Sequence, residues 1–175
     1  MRKIRLYIAM TLDGYIASRD GGVEWLDKYR NNTEDYGYTA LYESIDTVLM
    51  GGNTYRAILG FGCEWPYPDK TSYVISHREQ QGTNDCISII SDNAISFIKQ
   101  LKAGTGKDIW LVGGGQLTAQ LLEERLIDEM QICVFPILLG TGIRLFSENS
   151  SAYEWIADKQ QSFLSGAILL TYRKP

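Results

Sequence analysis

Two glycine clusters mark the places where this chain could do chemistry. Gly113, Gly114 and Gly115 stand between an apolar run at 108–112 and a helix-like stretch at 116–124, and Gly51 and Gly52 stand between the run 47–50 and a helix-like stretch at 53–59. Glycine has no Cβ and loses more freedom on folding than any other residue, so a run of three needs compensation. A tight strand-to-helix turn is one source of it. Close approach of bare backbone to a ligand is the other. In an open α/β sheet, ligands bind beyond the carboxyl ends of the strands, where helix N-termini present free amides and the positive end of a dipole. A pyrophosphate suits such an edge, because its oxygens accept several N–H groups only where no Cβ intervenes. For the pair at 51–52 a turn is account enough, whereas the triplet exceeds what a turn needs and points to a ligand. Neither cluster is a GxGxxG fingerprint: Thr118 stands where the third glycine would fall, so an ordinary Rossmann site is not supported.

Other chemistries are excluded by what the chain lacks. The 17 basic residues are scattered and the net charge is −4, which argues against a nucleic-acid partner. No apolar run approaches a transmembrane length, so no membrane partner is expected. Cys63, Cys86 and Cys133 share no CxxC spacing and read as free thiols in a reducing cytosol. With His77 the single histidine, no zinc constellation can be assembled and no metal is expected. The start, "MRKIRLYIAM", reads as a first strand and not as a signal peptide. At 175 residues, 45% hydrophobic and 22% charged, the chain reads as one globular domain over 1–175.

Strands and helices in alternation must hold the two turns. Ile4, Leu6 and Ile8 alternate as a first strand, and the glycine-containing segment 11–26 reads as a loop. The spacing of Tyr38, Leu41, Tyr42 and Ile45 predicts a helix from Glu34, with Thr33 as its cap. Strand 47–50 leads through Gly51 and Gly52 into a helix capped by Asn53. Strands follow at 71–76 and 86–90, then a helix at 92–103 capped by Asp92, and a strand at 108–112. This last strand and its glycine turn repeat the first strand-turn-helix unit about sixty residues later. Two extended runs, 129–139 and 160–173, close the chain and should pair antiparallel. The pattern predicts a mixed, mostly parallel sheet with helices on both faces.

Five segments in order carry a family resemblance: "IAMTLDGYIASRDGGVEWL" at 8–26, "TVLMGGNTY" at 47–55, "YVIS" at 73–76, "IWLVGGGQL" at 109–117 and "FPILLGTGIRLF" at 135–146. The chain resembles the dihydrofolate reductase superfamily, in particular the bacterial branch akin to the reductase domain of the riboflavin-biosynthesis deaminase-reductase. The resemblance implies a three-layer α/β/α fold whose mostly parallel sheet ends in an antiparallel strand. It also implies a small-molecule substrate, a cytoplasmic setting and a homodimer. The zinc-ligand spacing of a deaminase is absent, so no deaminase activity is expected.

The same resemblance implies an NADPH site. Gly51, Gly52, Asn53 and Thr54 match its first phosphate-facing segment, and Gly113, Gly114, Gly115, Gln116 and Leu117 its second. Ala9, Ile16 and Ala17 match positions lining the nicotinamide, and Ser76 a position near the adenosine ribose and its 2′-phosphate. Family members usually carry arginine where this chain has Gly52. Asn53, Ser76, His77 or Arg78 would then substitute, Arg78 first, and NADH is not excluded.

Asp35 matches an acidic residue that grips a pterin ring and assists protonation. Half-burial beside an apolar ring would raise its pKa, while an aspartate in a helix's first turn is equally explained by the dipole. For a phosphorylated sugar acceptor, Arg144 is the cation nearest a family motif, with Arg19 and Lys28 behind it. Trp25 could cover the nicotinamide or substrate, or anchor its own loop. Three functions stay open: an NAD(P)H-dependent reductase of a pterin or riboflavin-pathway pyrimidine, a nucleotide-binding module of the same fold without turnover, and, behind these, a purely structural dimer unit with no nucleotide affinity.

Overall fold

The first strand shows how the sheet is built. β1 (Ile4–Thr11) sends Ile4, Leu6 and Ile8 to one face and Tyr7 and Ala9 to the other, the period of two expected of a strand buried on both sides. The structure is a computed structural model that describes residues 1–30, 33–79, 81–146, 152 and 154–175. After β1 come β2 (Tyr15–Ala17), a 3-10 helix (Glu24–Tyr29), α1 (Tyr38–Ser44), β3 (Ile45–Gly51) and α2 (Gly52–Gly60). They are followed by β4 (Thr71–Ile75), β5 (Ile87–Ile90), α3 (Ala94–Ala103), β6 (Asp108–Gly113) and α4 (Gly115–Glu123). β7 (Glu129–Phe135), β8 (Ile143–Arg144), β9 (Ile156–Ser162) and β10 (Ile168–Arg173) complete the fold.

Eight strands form one sheet in the order β5-β4-β3-β6-β1-β7-β10-β9, and β2 pairs with β8 separately. Six neighbours from β5 to β7 run parallel, and β10 runs antiparallel to both β7 and β9. The architecture is therefore the mostly parallel α/β sheet with an antiparallel C-terminal strand that the sequence implies. Crossovers to the left, β1 to β3 and β3 to β4, carry α1 and α2, whose Leu41, Tyr55 and Ile58 pack on Val48, Met50 and Trp110. Crossovers to the right, β5 to β6 and β6 to β7, carry α3 and α4, whose Ile98, Leu117 and Leu121 pack on Leu6, Leu49 and Leu111. Right-handed crossovers in opposite directions put helices on opposite faces. The direction changes between β3 and β6, which is where an open sheet splits to admit a ligand.

Several boundaries differ from the sequence reading. The segment 11–26 contains β2 and enters the 3-10 helix. α1 begins at Tyr38 and not at Glu34, because Tyr36 and Gly37 take left-handed conformations (φ 55° and 87°) that break the turn. Asn53 does not cap α2: its Oδ1 accepts a hydrogen bond from Arg56 instead. Nor does Asp92 cap α3, which starts after left-handed Asn93, since Asp92 accepts the Ser91 hydroxyl at 2.8 Å. The run 160–173 is two strands folded back at 163–167.

Buried charges clamp the amino-terminal edge of the sheet. The Arg2 guanidinium meets Asp46, Thr47 Oγ1 and the Lys107 carbonyl, and Lys102 Nζ donates to the Leu126 carbonyl at 2.9 Å and to Asp128. Asp128 in turn accepts the Ile4 amide at 2.9 Å. The opposite, carboxyl-terminal edge is where both glycine turns emerge.

Candidate dinucleotide cleft

β3 and β6 are hydrogen-bonded neighbours with Met50 opposite Gly113, so the two turns leave the sheet side by side. Each glycine of the triplet has its own reason. Gly113 and Gly114 hold φ of 136° and 99°, which side chains resist. A Cβ on Gly114 would stand 3.2 Å from Thr54 Oγ1 and 3.8 Å from the Gly51 amide nitrogen, so the turns touch each other. A Cβ on Gly115 would meet the Arg144 carbonyl at 3.0 Å. The fold alone therefore gives each of the three a reason, so the triplet does not by itself call for a ligand. The consequence for chemistry stands beside this one: Thr118 N closes the first turn of α4 on the Gly114 carbonyl at 2.9 Å, leaving the amides before it ahead of the helix's own ladder.

A cleft of about 1550 Å³ runs along this edge, large enough for a dinucleotide and a second molecule. Gly51, Gly52, Asn53 and Thr54 line it from the turn into α2, and Gly114, Gly115, Gln116 and Leu117 from the turn into α4. Ala9, Ile16 and Ala17 line the part beneath β1 and β2, joined by Ile143 of β8. Ser76, His77 and Arg78 line the part beyond β4, where the N-terminus of α3 also arrives with Asn93 and Ser96. Gly113 is buried below the lining, with Ile8 Cδ1 placed 3.1 Å from its would-be Cβ.

The remaining predicted residues stand elsewhere. Asp35 is exposed and outside the cleft. Its carboxylate accepts the amides of Gly37 and Thr39 at 3.0 and 3.1 Å, which starts α1 and holds its pKa below the ordinary aspartate value. A pKa raised by desolvation, expected of a pterin-gripping acid, is not what this site gives. Trp25 packs edge-on to Phe135 with centroids 5.8 Å apart, so it anchors the 3-10 helix while its neighbours Val23 and Leu26 face the cleft. Arg144 lies over the Tyr15 ring, 5.0 Å from its centroid, because strand alternation in β8 gives the cleft to Ile143. Of the lesser cations, Arg19 lines the cleft and Lys28 instead sits over Tyr29.

Sequence reasoning missed the residues that furnish the cleft's aromatic end: Tyr7, Ile58, Tyr67 and Trp110, with Arg30 at the rim. Tyr67 packs on Trp110 at 5.3 Å, and its burial, with Tyr38 nearby, pushes the phenol upward, so it keeps its proton. The Tyr7 hydroxyl donates to the Tyr36 carbonyl at 3.1 Å, and Arg30 pairs with Asp27 at 3.3 Å. Asp13 was missed too. It accepts the Leu139 and Gly140 amides at 3.1 and 2.7 Å and so fastens the 137–140 loop near β2. Locally, the turn in "TLDG" is closed by Thr11, whose carbonyl accepts the Gly14 amide at 3.0 Å and whose hydroxyl accepts the Tyr15 amide at 3.0 Å. Among the described residues no group of three or more His, Cys, Asp or Glu could hold a metal ion, and no helix is long and apolar enough to cross a membrane.

Comparison with known proteins points the same way. The family described as RibD C-terminal domain matches residues 2–169. The uncharacterised protein YwjB of Bacillus subtilis is 40% identical over 147 residues, covering 84% of each chain. The crystal structure of a putative riboflavin biosynthesis protein from Shewanella sp. PV-4 superposes with a TM-score of 0.87 at 34% identity over 99% of both chains. A deaminase/reductase from Thermotoga maritima, named for 5-amino-6-(5-phosphoribosylamino)uracil reduction, superposes with a TM-score of 0.73 at 16% identity. There the match spans 99% of this chain and 57% of that one, and it speaks to fold alone.

Proposed function

The chain belongs to the RibD C-terminal domain family, and from that premise we propose that it is an NAD(P)H-dependent reductase acting on a pterin or a riboflavin-pathway pyrimidine. The observation that carries the reading is the meeting of two glycine turns at the point where the crossovers change direction, inside one long cleft. The residues present fit a dinucleotide. A Cβ at 114 would fill the space between the turns, and the first-turn amides of α2 and α4 converge there on a place suited to a pyrophosphate. A bound dihydronicotinamide would supply the hydride.

The chain's own residues do the rest. Ala9, Ile16, Ala17 and Ile143 offer an apolar wall that keeps water from a nicotinamide ring. At the aromatic end, Trp110 and Tyr67 offer faces for a flat heterocycle, and the protonated Tyr67 hydroxyl can donate to its polar atoms. Arg19 and Arg30, which line the cleft, are the cations available to an anionic group on the acceptor. Asp35 has no part in this account, since its carboxylate is spent on α1.

The test is fluorescence titration with NADH and NADPH, followed by oxidation assays with dihydrofolate and with the deaminated riboflavin-pathway intermediate. Binding with turnover of one acceptor is expected. Binding without turnover of any acceptor would favour the non-catalytic module, and failure to bind either dinucleotide would sink the reading.

A further inference from the structure

At the aromatic end of the cleft each polar hydrogen has a partner except one. The Tyr7 hydroxyl donates to the Tyr36 carbonyl at 3.1 Å, and Trp110 Nε1 donates to the Tyr7 carbonyl at 3.1 Å. The Tyr67 hydroxyl has no hydrogen-bond partner among the described residues, although the residue is only 7% exposed. A buried phenol ordinarily finds one. Nor is its oxygen sealed in the core. The fully enclosed, unpartnered side-chain atoms among the described residues are Trp25 Nε1, Thr118 Oγ1 and Gln131 Oε1, so the exposure that Tyr67 keeps is to the cleft it lines. While the hydroxyl is free, the ring is fixed. Pro66 and Pro68 flank it, its carbonyl accepts the Lys70 amide at 3.2 Å, and it stands edge-on to Trp65 and Trp110 with centroids 5.4 and 5.3 Å away. Trp65 is itself tied through Nε1 to Ser72 Oγ at 3.2 Å.

We propose that Tyr67 is a catalytic residue whose hydroxyl donates a hydrogen bond to the heteroatom of the C=N or C=O bond that is reduced. The inference rests on the reductase reading above and adds the group that meets the charge developing on the acceptor. Ala9, Tyr7, Trp110 and Tyr67 all line the cleft. Tyr7 and Ala9 share one face of β1, the Tyr7 ring lies 6.0 Å from that of Trp110, and Trp110 packs on Tyr67, so the free hydroxyl continues the wall offered to the nicotinamide. When the acceptor carbon gains a hydride from the dinucleotide, which is left oxidised, the π pair of the double bond moves to the heteroatom. That atom is negative until a proton from water reaches it. A donor already fixed toward such an atom stabilises the transition state more than the ground state. Burial, with Tyr38 nearby, raises the phenol's pKa, so Tyr67 keeps its proton and serves as a hydrogen-bond donor and not as an acid. Asp20, the single carboxylate among the described residues lining the cleft, is held below the ordinary aspartate range by the Ser18 hydroxyl and then the Gly22 amide, and has no proton to give at neutral pH.

The test is Tyr67→Phe, which keeps the ring and deletes only the oxygen. Because that oxygen has no partner in the fold, the midpoint of thermal unfolding should not fall, and NADH and NADPH titrations should match the wild type within about twofold. With whichever of dihydrofolate and the deaminated riboflavin-pathway intermediate the wild type reduces, kcat should fall about tenfold or more, while KM for that acceptor changes less. The same acceptor, added without dinucleotide, should quench tryptophan emission in both proteins, since Trp110 packs on Tyr67. A Tyr67→Phe kcat above about a tenth of the wild-type value would overturn the inference and leave the reductase reading intact. So would an acceptor that leaves tryptophan emission unchanged, or a lowered melting midpoint, which would give the hydroxyl a partner in the fold. Turnover of neither acceptor by the wild type would remove the reductase reading and this inference together.

Discussion

Gly114→Ala isolates the point on which the cleft depends. Gly114 sits at φ 99° and ψ 112°, outside the conformations an alanine adopts readily. Holding a side-chain residue in such a region costs about 1–3 kcal/mol. The new methyl would also stand 3.2 Å from Thr54 Oγ1, so one turn must yield a few tenths of an ångström to the other. At roughly 2–4 °C per kcal/mol for a chain of this size, the midpoint of thermal unfolding should fall by about 2–12 °C. The methyl also projects between the two turns, so dinucleotide affinity should drop about tenfold or more, roughly 1.4 kcal/mol. Gly60→Ala is the control. Its Cβ would enter open space at the end of α2, and it should leave binding unchanged and gain about 0.4–1 kcal/mol. Thermal melts followed by circular dichroism, with fluorescence titration of each variant, read both effects. A Gly114→Ala protein that melts with the wild type would refute the strain argument. One that is destabilised yet binds NADH and NADPH normally would show that the turn serves architecture alone.

Asp35→Ala should cost about 0.5–2 kcal/mol of stability at neutral pH by removing the acceptor that starts α1, and kcat/KM should stay within about twofold. Because the folded carboxyl titrates below its ordinary value, this stabilisation is complete above pH 3.8 and is lost as the pH falls through the depressed folded value, so wild type and variant should converge in acid melts. A large loss of turnover would return Asp35 to the chemistry. Cys63 and Cys86 are exposed, whereas burial pushes the Cys133 thiol up to about 12, so a thiol reagent should label two cysteines in the native protein and the third only on unfolding. Lys102→Met should destabilise toward the lower end of about 3–5 kcal/mol, because it strips Asp128 of its buried partner. Denaturant unfolding would read that cost, and a neutral result would show that the clamp contributes nothing net.

The parallel part of the sheet was legible because its strands are apolar on both faces and each glycine cluster punctuates a strand-to-helix change. β9 carried no such signal. All of its residues are exposed, so nothing in its composition alternates, and it merged with β10 into one run. The cleft's middle was legible through the glycines, and its flanks were not. In β8, two residues long, no period could say that Ile143 and not Arg144 faces the ligand. Tyr67 and Trp110 read as packing residues, and they do pack; only the meeting of segments far apart in sequence makes them walls of a cleft. The start of the helix beside Asp35 was set too early, because the periodicity of its apolar residues does not show the left-handed Tyr36 and Gly37.

The strand order β3-β6-β1 places a late segment between two early ones. A chain growing from its N-terminus makes β1 and β3 long before β6 exists; β3 can pair with β4, but β1 has neither of its neighbours, and the two cannot be joined, until residue 113 has arrived. Closing that gap spends loop entropy over many residues before any contact returns it, so consolidation of this edge should be among the slow events of folding. The two turns become a site only in that step. Partly folded chains would therefore possess both glycine clusters and no capacity to bind, and dinucleotide affinity would report on completed assembly of the sheet's centre rather than on the presence of either turn.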